Sequence, residues 1–441
     1  MPGFENAGSG NNPKESEGYL SQIANNPDEK IGELVDAIIK GQLPKVLDGR
    51  LKILELGTGG GESIGVLKKA LDDRGDVDVF AVDVSVGILR KIQSEQGVPS
   101  VAADAMKLPF KENSLSAINA SAVFHEVSSY GSFGSKPEIE AKKPYGREAV
   151  KRAFIEIQRA LMLDGMLAYR DVYCPDGMFE EKTVSYNSKA WKHFAKWFYP
   201  EFLEADARAF PQDGRPRIEE DGESMKLTVS KHLHRELQRH YLMLRDYLRT
   251  QLADNIGLEV VKEEWVDKEK GTKTHEFLAR GVLYQLLKKG ETEEGYGKYT
   301  MQSEEYDALF DKLIEQIIEQ ELDAGSPIGV ELSGWKKREG KEVYTYASTR
   351  EMLDVSCESS AEAKDGHILF PKIADDIRVL PRDYYNRYLQ EVIDAPEFDG
   401  KQIVRFHKIS LQEALQALDG LRNHQMIGDV ASLKERIKAL I

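Results

Sequence analysis

The chain has 441 residues, and 41% of them are hydrophobic, so it can bury more than one core and we expect two or three domains. A formal net charge of −15 argues against a broadly basic nucleic-acid-binding surface. There is no run of about 18 apolar residues, so no membrane span is predicted. The polar first residues do not resemble a secretion signal, and two distant cysteines fit a reduced chain, so we predict a cytoplasmic protein.

The first predicted strand ends in a glycine-rich turn. Residues 1–50 are predicted to form a mobile tail and capping helices, and the apolar run Leu51–Leu54 then leads into Glu55-Leu-Gly-Thr-Gly-Gly-Gly61. A strand, a glycine turn and a helix start make a cradle for a nucleotide-like ligand, because alternating glycines let the backbone adopt positive φ and approach the ligand. A dinucleotide fingerprint would need glycine where Glu62 stands, and a phosphate loop would need Gly-Lys-Ser/Thr, so neither is predicted.

Acidic side chains follow the next two predicted strands. Asp83 comes directly after the apolar run 77–82, and Asp104 directly after the run 98–103. A carboxylate at a strand end, one βα unit after a glycine loop, is where nucleotide-binding sheets hold a ribose diol. A fourth and a fifth predicted strand, 115–123 and 166–170, continue the alternation of strands and helices. We therefore predict an α/β sheet of mainly parallel strands with a ligand at its carboxyl edge.

These ordered motifs over residues 51–172 resemble the class I S-adenosylmethionine-dependent methyltransferases, in particular the subfamily that modifies small molecules. The resemblance implies a Rossmann-like sheet, S-adenosylmethionine as cofactor and no metal. It implies that Glu55 contacts the methionine part, Asp83 the ribose hydroxyls and Asp104 the adenine. The other cofactor-binding residues that it implies are Gly57, Thr58, Gly59, Gly61, Val84, Ala105 and Ser121.

His125 and Glu126 follow the fourth strand, which in this family lies nearest the transferable methyl group. We predict them as the catalytic residues, because a neutral histidine is the usual base near pH 7. Whether His125 removes a proton or only positions the acceptor stays open.

The remainder of the chain is predicted from its patterns alone. Residues of about 173–254 should form a helical lid, in which Trp191, Trp197 and Phe198 line an acceptor pocket or simply form a core. The segments 258–265 and 274–284 are predicted to close the sheet, which gives a methyltransferase domain over 51–287. After a linker at 288–300, residues 300–441 should form an α+β domain of unknown role that begins with an amphipathic helix and a hairpin at 328–346.

Two further groups of residues have competing interpretations. His232, His234 and His240 fall on one predicted helix, where their angular and axial separation prevents convergence on a metal. The segment 378–388 mixes basic and aromatic residues, which is typical of an RNA-stacking surface and equally of an amphipathic helix.

The sequence thus predicts methyl transfer from S-adenosylmethionine to an oxygen, nitrogen or carbon nucleophile of a small-molecule acceptor held under the lid. One alternative is an RNA or protein acceptor recognised by the C-terminal domain, although nucleic acid is not the expected partner. Others are a polyamine-type transferase and a non-catalytic protein that binds the cofactor. No membrane partner is expected, and a homodimer through the C-terminal domain is a hypothesis.

Overall fold

In the computed structural model the described residues are 27–71, 74–131, 144–209, 215–287, 296–319 and 326–441. The predicted N-terminal tail and most of the predicted 288–300 linker lie outside them. The chain divides into two compact units. Unit 1 comprises Met1–Asp176, Val343–Leu380 and Lys401–Ile441, and unit 2 comprises Gly177–Glu342 and Pro381–Gly400. Within the described ranges, no helix combines the length and the apolar character that crossing a membrane requires.

The elements follow one another along the chain with few long gaps. The strands are β1 (Leu51–Leu56), β2 (Val77–Asp83), β3 (Ser100–Ala102), β4 (Leu115–Ser121), β5 (Leu161–Val172), β6 (Glu181–Tyr186), β7 (Arg217–Asp221), β8 (Ser224–Ser230), β9 (Leu258–Asp267), β10 (Thr272–Arg280), β11 (Tyr296–Gln302), β12 (His367–Phe370), β13 (Ile377–Pro381) and β14 (Gly400–Ser410). The α-helices are α1 (Pro27–Ile39), α2 (Glu62–Ala70), α3 (Val86–Gln96), α4 (Phe124–Tyr130), α5 (Gly146–Ala160), α6 (Lys189–Ala209), α7 (Lys231–Thr250), α8 (Ala253–Ile256), α9 (Gly281–Leu287), α10 (Ser303–Glu319), α11 (Pro327–Glu339), α12 (Thr349–Ala363), α13 (Asp383–Val392), α14 (Leu411–Leu421) and α15 (Val430–Lys438).

Unit 1 is built on an eight-stranded mixed sheet in the order β12-β14-β5-β4-β1-β2-β3, with β13 paired to β14. The pairs from β3 to β5 are parallel, and β14 runs antiparallel to both β5 and β12. The parallel strands form from near-continuous apolar runs because both of their faces are covered, and Ile53 and Ile118 are fully buried. Ser85 caps α3 by accepting a hydrogen bond from the Ile88 N–H, as its position after the second strand predicts. This is the predicted Rossmann-like architecture.

The strands that close this sheet differ from the predicted ones. The segments 258–265 and 274–284 were expected to form the closing antiparallel pair, and this prediction is wrong, because β9 and β10 pair with β11 in a separate three-stranded sheet of unit 2. The closing strands are β14 and β12, from the C-terminal part of the chain. An alternating hairpin pattern indicates which strands are neighbours, but not which sheet they join.

Unit 2 therefore begins as an insertion after β5 that runs from Gly177 to Glu342, well beyond the predicted lid of about 173–254. It is not purely helical, since β6, β8 and β7 form a second three-stranded antiparallel sheet. The hairpin predicted at 328–346 is also wrong: Ser326 caps α11, and Pro327 supplies the fixed φ of its first turn. The C-terminal region is divided between the units rather than forming the separate domain predicted for 300–441.

Candidate active site

The glycine loop joins β1 to α2 at the carboxyl edge of the unit 1 sheet. Gly57, Gly59 and Gly61 all have positive φ, at 69°, 51° and 88°. A Cβ atom at Gly57 would lie 2.3 Å from Cγ2 of Val123, so only glycine fits this turn. Thr58, which is buried in the same loop, donates a hydrogen bond of 3.4 Å to Asp83 at the end of β2.

Glu55 is the acid at the end of β1, and it is 2% exposed. Its Oε2 accepts a hydrogen bond of 2.8 Å from Nδ2 of Asn119 on β4. Burial raises the pKa of Glu55 to about 8, although the Asn119 hydrogen bond and the charge of Lys30 oppose the shift. Lys30 belongs to α1, whose Ile31 packs in the core formed against β1 and β5. No local pattern indicates Lys30 as a site residue, because its position depends on how α1 packs against the sheet.

Asp83 lies near two other predicted site residues. Its Oδ1 accepts a hydrogen bond of 2.9 Å from the Ser85 N–H. Burial raises the pKa of Asp83 to about 6, and the charge of Glu126 raises it further. Glu126 on α4 is thus close enough to act electrostatically on the end of β2, and Val84, which follows Asp83, is half-buried.

The remaining predicted cofactor residues lie at the ends of β3 and β4. Asp104 is half-buried, and its Oδ1 accepts a hydrogen bond of 2.8 Å from the Met106 N–H. Ala105 beside it is buried. Ser121 ends β4, and its Oγ accepts a hydrogen bond of 3.4 Å from Nη1 of Arg170 on the adjacent β5. Every predicted site residue therefore lies at the carboxyl edge of one sheet.

His125 forms a buried pair with Asp171, a residue that the sequence did not single out. Nδ1 of His125 lies 2.9 Å from Oδ1 of Asp171, and the His125 backbone N–H donates to Oδ2 at 3.1 Å. Burial by itself would raise the pKa of Asp171, but the charge and hydrogen bond of His125 hold it below its ordinary value. The ring of Tyr344 packs on His125 with centroids 4.7 Å apart. A signal for Asp171 was present, since it is a carboxylate directly after the predicted fifth strand, as Asp83 is after the second.

The turn that presents His125 is strained. Ala122, between β4 and α4, has a φ of 59°, a left-handed value that non-glycine residues rarely adopt. Its N–H donates a hydrogen bond of 2.7 Å to the carbonyl of Arg170, which holds the turn against β5. Strain of this kind persists where the surrounding structure imposes it, and it is frequent at functional sites.

The three histidines of α7 each have a separate partner in unit 2. Nε2 of His232 lies 2.7 Å from Asp206, and Nδ1 of His234 lies 2.9 Å from the hydroxyl of Tyr186. His240 lies between the carbonyl oxygens of Glu236 and Glu339. All three rings are fully buried and serve the internal packing of unit 2.

The aromatic residues with open interpretations also pack inside unit 2. Trp191 and Phe198 are buried, and Trp191 stacks on Tyr241 with ring centroids 3.7 Å apart. Trp197, which is half-buried, stacks on Trp335. In the basic and aromatic segment, Tyr388 is buried and donates a hydrogen bond to Asp311. These contacts favour the core interpretation over an acceptor pocket or an RNA-stacking surface.

The chain is similar to known methyltransferases over part of its length. A sequence profile described as a methyltransferase domain matches residues 54–169, and no curated protein matches the chain. Among solved structures, the [4+2]-cyclase SpnF is 23% identical with a TM-score of 0.23, and the match covers 33% of this chain and 46% of that one. A SAM-dependent methyltransferase from Aquifex aeolicus is 18% identical with a TM-score of 0.24, covering 48% and 97% of the two chains. The sugar N-methyltransferase KedS8 from Streptoalloteichus is 10% identical with a TM-score of 0.28, covering 86% and 87%.

At these TM-scores the structural likenesses do not bear on function, and the chain spans about half the length of the cyclase. The profile match coincides with the glycine loop and strands β1 to β5, where the predicted motifs lie. Residues 54–169 therefore match a methyltransferase domain, a kind of domain whose cofactor is S-adenosylmethionine.

Proposed function

We propose that the protein transfers the methyl group of S-adenosylmethionine to an oxygen, nitrogen or carbon nucleophile of a small-molecule acceptor. The observation that carries this proposal is the buried His125–Asp171 pair, which lies at the same sheet edge as the glycine loop. Bound S-adenosylmethionine would supply an electron-poor methyl group. A nucleophile attacks the methyl carbon in line with the methyl–sulfur bond, which breaks and leaves a neutral thioether. The protein then has to align the acceptor and receive its proton.

The residues of unit 1 fit this cofactor. The glycine turn keeps its shape because a Cβ atom at Gly57 would collide with the side chain of Val123. Glu55 and Asn119 would bind the ammonium group of the methionine part. Asp83 would accept hydrogen bonds from the ribose hydroxyls. Burial disfavours the charge of both carboxylates, and a cationic ligand would restore it.

The other predicted residues complete this assignment. Asp104 and Ala105 would border the adenine, while the loop residues Thr58, Gly59 and Gly61 and the neighbouring Val84 and Ser121 would border the rest of the cofactor. Lys30 interacts electrostatically with Glu55 and also with Arg170. We assign Lys30 and Arg170 to the negatively charged methionine carboxylate.

His125 has the partner that a general base requires. With the proton on Nδ1 in a hydrogen bond to Asp171, Nε2 is the basic nitrogen of the ring and would accept the proton of the acceptor. Asp171 would then stabilise the imidazolium that forms, as a buried carboxylate does in other histidine-dependent sites. The carboxylate of Glu126 would add negative charge beside Asp83 and near the positively charged sulfur of the cofactor.

We assign acceptor recognition to unit 2, in place of the helical lid predicted from the sequence. The chain leaves unit 1 just after β5, the strand that carries Asp171, and it returns at Val343. The Val343 N–H donates a hydrogen bond of 2.7 Å to Oγ of Ser129, which in turn bonds the carbonyl of His125. Val343, where the chain re-enters unit 1, is therefore linked through Ser129 to the backbone of the proposed base.

The proposal is tested by incubating the protein with methyl-labelled S-adenosylmethionine and a metabolite extract, and then with RNA and protein fractions. The label should enter the small-molecule fraction. His125→Ala should lower that rate by about 10²–10⁴, the usual effect of losing a positioned base. The matched control is His367→Ala, since His367 lies on β12 in the same unit.

Labelling of RNA or protein instead would favour the alternative acceptors. Binding of the cofactor without labelling of any fraction would favour a non-catalytic protein. Equal rates in both histidine variants would exclude His125 as the base.

A further inference from the structure

Unit 2 contains an arginine cluster, which we define as Arg235, Arg239 and Arg382 around Asp399. Arg235 and Arg239 are four residues apart on α7, so both project from the same side of the helix. Nη2 of Arg235 lies 2.6 Å from Oδ1 of Asp399, and Nη1 of Arg239 lies 3.2 Å from both carboxylate oxygens. Nε of Arg382 lies 3.8 Å from Oδ2. Three guanidinium groups thus converge on one buried carboxylate.

All three guanidinium groups share the carboxylate of Asp399. Arg382 has a second carboxylate, that of Asp246, at 3.8 Å. Burial lowers the pKa of Arg239, and although Asp399 opposes the shift, the charges of Arg382 and Arg235 lower the pKa further. A buried guanidinium is costly unless its charge is paired and its N–H donors are hydrogen-bonded.

The side chain of Arg235 indicates a missing hydrogen-bond acceptor, independently of the convergence of the three arginines. It is fully buried, yet within the described part of the chain its Nε and Nη1 have no hydrogen-bond partner. A guanidinium carries five N–H donors in a rigid fork, and leaving buried donors unpaired costs free energy. The donors that remain after Asp399 is bound therefore lack an acceptor.

We infer that the arginine cluster of unit 2 is a binding site for an oxyanion, either a carboxylate or a phosphate group of a small molecule. Both groups match the fork of a guanidinium, which binds two oxygens side by side. Arg235 forms the base of the site, and the access side is Arg382, whose side chain is 33% exposed. Asp399 holds the three arginines together, and Nε and Nη1 of Arg235 are the donors left for the ligand. This inference does not depend on the proposed methyl transfer.

The test is thermal unfolding of the full chain in increasing inorganic phosphate or acetate, with chloride at matched ionic strength. Wild type should show a saturable rise in Tm with phosphate, with acetate or with both, and little rise with chloride. The responding anion identifies the class of ligand. Arg239→Gln should weaken binding, so that the half-saturation concentration rises at least tenfold. Arg217→Gln is the matched control, because Arg217 is in the same unit but forms an exposed ion pair with Glu181.

A response to both oxyanions no larger than that to chloride would overturn the inference, as would an unchanged response in Arg239→Gln. If Arg239→Gln does not fold, Arg382→Gln replaces it, because Arg382 is partly exposed and its loss leaves the Arg235–Asp399 bond in place. A tenfold weaker response in that variant supports the site, and an unchanged response overturns it.

Discussion

Two carboxylates of the cofactor site, the buried Glu55 and the half-buried Asp83, have raised pKa values, of about 8 and about 6. Burial is the main cause in both, so each group favours its neutral form until a positive charge comes close. The ammonium and sulfonium groups of S-adenosylmethionine supply such charges. Binding of the cofactor should therefore be coupled to the release of protons.

We predict that the affinity for S-adenosylmethionine rises between pH 6 and pH 8.5, because ionised Glu55 binds the ammonium group better than neutral Glu55 does. The affinity should rise by at most about tenfold per pH unit, which is the limit for one coupled proton. Calorimetric titrations over this range, in buffers of different ionisation enthalpy, measure the slope and the protons released. Glu55→Gln should bind more weakly and lose most of the slope, and an unchanged slope in this variant would contradict the assignment.

The raised pKa of Glu55 also predicts how the stability of the cofactor-free protein depends on pH. A carboxyl group whose pKa is raised in the folded state contributes stability that is fully present below its unfolded value, near 4.5, and is lost as the pH rises through about 8. At pH 9, Glu55→Gln should therefore be more stable than wild type by about 1–3 kcal/mol. Denaturant unfolding measures this difference. Glu95→Gln, an exposed change on α3, should have little effect, and a destabilised Glu55→Gln at pH 9 would exclude the predicted sign.

Asp171 should act through His125. In Asp171→Asn the amide keeps the shape of the side chain but can hold the ring in the wrong tautomer, and we predict that kcat falls by about 10²–10⁴. The acid limb of the pH–rate profile should move to lower pH, because the imidazolium loses its carboxylate. Affinity for S-adenosylmethionine should change little. A variant with normal kcat and an unshifted profile would show that Asp171 has only a structural role.

Among the elements, β1 to β5 could be predicted and β12 and β14 could not be assigned to their sheet. The first five follow one another with short helical connections, so their apolar runs and terminal acids indicate a parallel sheet. β14 has an equally clear local pattern, and a capping box formed by Ser410 and Glu413 follows it. Its partner β5 is far away in sequence, however, and local patterns carry no information about such a pairing.

We predict that Phe406→Ala on β14 destabilises the protein by about 3–5 kcal/mol, the usual range for removing a buried phenylalanine side chain. Phe406 is fully buried and packs on Phe154 and Tyr169, with ring centroids 5.4 and 6.0 Å apart. The variant should also bind S-adenosylmethionine more weakly near its unfolding temperature. The control is Phe398→Ala, because Phe398 is exposed in unit 2. Normal stability in Phe406→Ala would mean that β14 does not complete the sheet.

Taken together, the motifs predicted the chemistry of unit 1 and little of unit 2. Glu55, Asp83 and Asp104 were predicted because strand ends of a parallel sheet meet at one edge. Lys30 was missed because its position depends on helix packing, and Asp171 was overlooked although it follows the fifth predicted strand as Asp83 follows the second. The arginine cluster of unit 2 joins α7 to the segment 381–400, and no spacing within either segment indicates that they meet.

The most direct test of the cofactor site is a calorimetric titration of the full chain with S-adenosylmethionine, its demethylated product and NAD. One site per chain should bind the first two, and NAD should give no response. Asp83→Ala should weaken binding by about 1–3 kcal/mol, as expected for the loss of charge-assisted hydrogen bonds. Asp78→Ala should leave it unchanged, because Asp78 lies at the other end of β2 and pairs with Arg50. Binding of NAD without binding of S-adenosylmethionine, or equal affinity in Asp83→Ala and wild type, would contradict the assigned site.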